Sequence, residues 1–166
     1  MDIAFDSGIA VLFEISCEMN VDGSTTAQVF AIDNDSTTPI DITRIIIHMT
    51  DDTSMDDGRF GGGVELTRGI VLRKENDDGT FTNYWNIKNN GEIGEMCYDK
   101  NYDDKAPAGL YGLTARLTFG GQSKIGVVIR LTEGEELQLV VQDDLTGLES
   151  FRIMAEGHFT DEPPTS

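Results

Sequence analysis

The chain has 166 residues, with 30 acidic and 12 basic side chains and a formal net charge of −18. A length of that order suits one domain able to bury about 70% of its unfolded surface. The clustered cations that nucleic acid or an anionic membrane surface would require are missing, and no apolar run approaches the ~20 residues that cross a bilayer.

The first forty-three residues hold no Lys or Arg but eight acids: Asp2, Asp6, Glu14, Glu18, Asp22, Asp33, Asp35 and Asp41. The simple meaning of this acidity is solubility and repulsion between copies. A sharper one is a protein facing solvent on a large assembly, or meeting a basic partner. MDIAFDSGIAVLFEIS has no basic leader segment, so synthesis and folding in a cytosol are expected. In that compartment Cys17 and Cys97 are expected as free thiols.

In chain order, AVLFEISC, AQVFAI, ITRIIIHM, RGIVLRK and FTNYWNI read as strands, each rich in β-branched or aromatic residues. YGLTARLTFGG follows with strict alternation: Tyr111, Leu113, Ala115, Leu117 and Phe119 share one face. KIGVVIRL sets Ile125, Val127, Ile129 and Leu131 inward. EELQLVV does the same with Leu137, Leu139 and Val141, and FRIMAEGHF with Phe151, Ile153, Ala155 and Phe159. ENDDGT, KNNGE, FGGQSK and LTEGEE supply reversals between them. QDDLTGLESF allows one helical turn capped by Asp144, cut short by Gly147.

This pattern predicts an all-β protein with almost no helix: an antiparallel β-sandwich of about nine or ten strands, jelly-roll-like. An immunoglobulin-like sandwich fits the same spacing. One domain spans residues 1–160, and DEPPTS (161–166) is a polar tail.

HMTDDTSMDDGRFGGG (residues 48–63) raises the question of chemistry. Counted from Asp52, an EF-hand would need its glycine at the sixth place, where Asp57 stands, and a Glu at the twelfth, where Gly63 stands. An irregular calcium site using Asp51, Asp52, Asp56 or Asp57 is compatible with the stretch but not required by it, and no cofactor is expected. The glycine-rich runs lack the Gly-Lys-Ser/Thr that opens a phosphate-binding helix.

His48 and His158 are the only histidines, on remote segments, so the close histidine spacing of jelly-roll metalloenzymes is missing. His48 alternates in phase with Ile42 and Ile46 and reads as a structural residue. No GxSxG elbow occurs. A carboxylate pair is available anywhere in so acidic a chain, but none stands out. The chain is therefore expected not to be an enzyme.

Tyr84 and Trp85 alternate, so one of them is expected outward, with Trp85 favoured as a core residue. Tyr98 and Tyr102 fall in a loop-like stretch among Asp99, Asp103 and Asp104. Arg59 and Phe60 sit in the glycine-rich connection after RIIIHM. Together Arg59, Phe60, Tyr84, Tyr98 and Tyr102 are the candidates for contact with a partner, because aromatic and arginine anchors dominate interfaces.

Three stretches carry a resemblance: FGGGVELTRGIVLRKENDDGTFTNYWNIKNNGEI, APAGLYGLTARLTFGGQSKIGVVIRL and LQLVVQDDLTGLESFRIMAEGHF. Over roughly residues 56 to 160 the chain resembles small β-rich structural proteins of tailed bacteriophage virions. The resemblance rests on the order of strands and glycine turns and carries over no catalytic residue. It implies a capsid decoration or cement protein on the outside of the shell, with the major capsid protein as partner and a homo-oligomer, a trimer, as the assembly. The alternative is a receptor- or carbohydrate-binding module of a phage tail or fibre. A secreted calcium-dependent sandwich is a third reading, which the absent leader disfavours.

Overall fold

The computed structural model describes residues 11–17, 21–52, 59–60, 64–88, 96–106, 110–119 and 129–159. Among them there are twelve strands and no helix. They are β1 (Val11–Cys17), β2 (Gln28–Asp33), β3 (Ile40–Asp51), β4 (Arg59–Phe60), β5 (Val64–Glu65), β6 (Ile70–Glu75), β7 (Phe81–Asn86), β8 (Met96–Ala106), β9 (Leu110–Phe119), β10 (Ile129–Leu131), β11 (Glu136–Val141) and β12 (Ser150–Phe159).

One antiparallel sheet runs β1-β12-β3-β9-β8, with β10 paired to the start of β3. A second runs β2-β11-β6-β7, and β4 and β5 form a small ribbon. The chain therefore changes sheet six times: between β1 and β2, β2 and β3, β3 and β6 (through the ribbon), β7 and β8, β10 and β11, and β11 and β12.

The alternating sequences explain why these strands bury one face. Register sets Ala155, Ile45 and Leu117 side by side, then Ile153, Ile47 and Ala115, then Phe151, Met49 and Leu113. All nine are buried. The second sheet answers with the row Phe30, Leu139, Leu72 and Trp85, flanked by Ile70, Leu137 and Val141. The two sets form one hydrophobic cluster, and Phe30 meets Phe151 across it at 5.6 Å between ring centroids. Burying a side chain of this size is worth about 1.5–3 kcal/mol.

Two bulges correct the simple alternation. Between Glu156 and Gly157 the register to β3 shifts, so that Thr43 has no opposite residue. Its hydroxyl donates to the Glu156 carbonyl instead, at 3.2 Å. Ile42 is consequently buried while Ile46 is only half-buried, so His48 is in phase with Ile46 and not with Ile42.

The second bulge opposes Leu72–Arg73 with Asn83, Tyr84 and Trp85. The extra residue lets neighbouring side chains lean to one side, so Trp85 is 2% exposed and Tyr84 also packs on the core.

The segment after β11 forms a turn, not the expected helical one. Asp144 accepts from the amide and the hydroxyl of Thr146. Residues 120–128, with Ile125 and Val127, lie outside the described residues, as do residues 89–92 of KNNGE and the 161–166 tail.

Candidate functional site

Connections from three parts of the chain meet beyond the start of β6. The Leu145 amide donates to the Val21 carbonyl, the Gly23 amide to the Asp143 carbonyl, and Asp22 bridges Asp144. The loop between β5 and β6 is held by Asp143. Its Oδ1 accepts from the amides of Thr67 (2.9 Å) and Arg68 (3.1 Å), and its Oδ2 from those of Arg68 (2.9 Å) and Gly69 (2.6 Å). Burial alone would raise the Asp143 pKa, but the amide bonds from Gly69, Thr67 and Arg68 outweigh it and hold the carboxyl below its ordinary value.

An open groove of about 250 Å³ lies here, lined by Ser24, Glu65, Thr67, Arg68, Gln142, Asp143 and Asp144. Two of its three acids are already engaged in hydrogen bonds. Both Asp143 oxygens are occupied by amides, and Asp144 is engaged by Thr146. Asp22 is likewise held below its usual range by the Ser24 hydroxyl and amide. The groove is a polar surface built on a rigid frame.

The β4–β5 ribbon adjoins it, since Glu65 both lines the groove and pairs with Arg59; Phe60 pairs with Val64. The two leading contact candidates thus belong to a short antiparallel ribbon and not to an irregular loop. Asp51 continues the inward row of β3 and is fully buried, whereas Asp52 is exposed. Asp56 and Asp57 lie outside the described residues. Among the described residues no group of three or more His, Cys, Asp or Glu converges on a point where a metal ion would sit.

Tyr98 and Tyr102 are not in a loop. Met96–Ala106 is a strand whose register pairs Tyr98 with Leu117 and Tyr102 with Leu113. Tyr84 is half-buried, and that burial raises its hydroxyl pKa. The structure therefore does not gather Arg59, Phe60, Tyr84, Tyr98 and Tyr102 into one patch. Arg59 and Phe60 are on the ribbon, Tyr84 is on β7 and the other two are on β8.

His48 is half-buried and its Nδ1 lies 2.9 Å from the Thr114 hydroxyl. Burial, then the nearby Arg152 charge, lowers its pKa, which favours the neutral imidazole.

At the opposite end Asn34 is a buried hub. Its side-chain amide donates to the carbonyls of Leu131 (2.9 Å) and Thr38 (3.1 Å), and its oxygen accepts from the Ser36 amide. Glu135 accepts from Lys74 at 2.7 Å and from the Thr132 amide at 2.8 Å. Burial pushes the Glu135 pKa up, but those bonds outweigh it and leave it lowered. Asp41 takes a two-point grip from Arg130, at 2.7 and 2.8 Å.

Sequence reasoning missed Asn34, Asp143 and Glu135 as organisers. The local signal was only an acid near a glycine for Asp143 and Glu135, and an amide in the polar run DNDST for Asn34. Their partners lie up to 97 residues away. No family model, curated protein or solved structure matches this chain.

Proposed function

We propose that this chain is a non-enzymatic structural protein of a tailed-phage virion. It binds the outside of the major capsid shell as a homo-oligomer, a trimer, and stabilises the shell. In this reading the fold is a jelly-roll sandwich. Counting only the eight strands that span the two sheets, in chain order, one sheet runs 1-8-3-6 and the other 2-7-4-5. That alternation supports the jelly-roll reading. Strand β8 then extends the first sheet as a hairpin with β9.

The observation that carries the functional reading is the use made of buried charge. Asp41, Glu135 and Asp143 each hold a loop or strand by ion pairs or backbone amides, so their charge serves rigidity and not reaction chemistry. Together with the acidity of the chain and the resemblance over residues 56–160, this supports a rigid body that works by covering joints. Burying surface across a joint raises the free energy needed to part the subunits, and symmetry multiplies each weak contact. The sugar-binding alternative draws on exposed Tyr and Trp rings, and the buried Trp85 offers none for stacking.

Mass spectrometry of purified particles tests the reading. The chain is expected in the virion, and particles lacking it are expected to lose heat resistance. Particles that never contain it would overturn the proposal.

A further inference from the structure

The outer face of the four-stranded sheet is graded. Register across β2, β11 and β6 sets Val29, Val140 and Val71 in one row. The next row on the same face is Ala31, Gln138 and Arg73, and the third is Asp33, Glu136 and Glu75. Phe81 on β7 stands beside Glu75. The exposed large apolar side chains among the described residues, Val29 at 45% and Phe81 at 48%, both lie on this face. An apolar end and an acidic end are thus separated by four residues of strand, about 13 Å at roughly 3.3 Å per residue.

The acidic row is unbalanced. Among the described residues none of Asp33, Glu75 and Glu136 carries a salt bridge. The nearby cations are committed elsewhere. Arg73 lies over the Phe81 ring at 3.9 Å and donates through Nε to Gln138. Lys74 projects from the opposite side of β6 and pairs with Glu135. Gln138, 5% exposed, donates to Glu75 at 2.7 Å and Glu136 at 2.6 Å, which holds the two carboxylates in place without neutralising them. Like charges directly opposite on neighbouring strands repel.

We propose that this face is a docking surface for an extended segment of another protein, with an aliphatic side chain over Val29 and Val71 and a Lys or Arg four residues further on against Asp33, Glu136 and Glu75. Charge complementarity selects the occupant: a cation relieves repulsion that the fold itself leaves in place. Burial, and then the facing Asp33 and Glu75, raise the Glu136 pKa. A docked cation would lower it, so binding releases protons and weakens in acid. The proposal deepens the shell-binding reading, under which the segment belongs to the major capsid protein.

Two arms separate the two ideas. In the first, purified chain is added to shells assembled without it. Variants E75K/E136K and V29S/F81S are compared with R152E/M154S on the other sheet. Reduced binding, about tenfold or more, for the first two only supports the docking face. Loss confined to R152E/M154S overturns it while leaving the shell reading intact.

In the second arm the probe is a capped dodecapeptide with Val and Lys four residues apart, followed by amide chemical shifts. Saturable shifts at Val29, Val71 and Glu136 that vanish in E75K/E136K support the face even if the chain ignores shells. Scattered, non-saturating shifts overturn it. E75Q/E136Q, which keeps the side-chain lengths, replaces the lysine variant if that one does not fold.

Discussion

Replacing Asp143 with Asn tests how the candidate site is held. The variant keeps the shape but removes the charge and turns one acceptor oxygen into a donor. Three successive amides, those of Thr67, Arg68 and Gly69, then compete for one oxygen. Gly69 is buried, so its orphaned amide costs roughly 1 to 3 kcal/mol. Thr67 and Arg68 are exposed, so water replaces much of what they lose, at roughly 0.5 to 1 kcal/mol each. The expected loss is about 3 kcal/mol. At roughly 2 to 4 °C per kcal/mol for a chain of this size, that lowers Tm by about 6 to 12 °C.

The sign with pH follows from the lowered Asp143 pKa. A carboxyl whose folded value is depressed adds stability above its ordinary value of 3.8 and loses it as pH falls through the folded value. The gap between wild type and D143N is therefore widest at neutral pH and closes below about pH 4. Urea unfolding from pH 7 to pH 3 measures it. A loss under about 0.5 kcal/mol at pH 7, or a gap that does not change with pH, refutes the assignment of Asp143 as the anchor of this loop.

Glu136→Gln should behave in the opposite sense. Its raised pKa gives stability that is present in acid and lost as pH rises through the raised value, so E136Q is expected to be more stable than wild type at pH 7, by about 0.5 kcal/mol, and equal to it in acid. Gly69→Ala combines a φ of +89° with a Cβ 2.3 Å from Asn86 Oδ1. That oxygen is fixed by the Lys88 amide, so urea unfolding should show a loss above about 2 kcal/mol. Gly79→Ala has the same sign of φ but open space, and should lose about 1 kcal/mol. Trp85→Ala should cost about 3 to 5 kcal/mol, and the buried emission of this single tryptophan should shift red as the native protein unfolds. A calcium chelator should leave the melting midpoint unchanged, because buried Asp51 and exposed Asp52 do not face one point; a drop of several degrees would require an ion there.

The alternation of EELQLVV and FRIMAEGHF made the central strands legible, because period two in β-branched residues has one good solution in a half-buried sheet. Strand β8 was illegible for the same reason. MCYDKNYDDKA is poor in β formers and rich in Asp and Lys, and it becomes a strand through pairing with β9. The phase of Ile42 and the placing of Tyr84 depend on bulges, which insert a residue without any mark in composition. The groove was hidden more deeply. Asp143 looks like any acid in an acidic loop until the fold brings residues 67–69 to it.

The charge of this chain divides into two uses that composition alone cannot separate. Asp41, Glu135 and Asp143 are tied to cations or amides, and removing Asp143 leaves the buried Gly69 amide unsatisfied. Glu75 and Glu136 are fixed in position by Gln138 but not neutralised, and Asp33 stands opposite Glu136, at a standing cost to the folded state. Solubility alone does not need them in register, since the same charges scattered over loops would serve equally well. The outer face of the other sheet mixes both signs: Arg44 pairs with Glu156, and register sets Asp99 opposite Arg116. A basic segment of the proposed kind would therefore be favoured by the acidic row of the four-stranded sheet, whose carboxylates carry no salt bridge among the described residues.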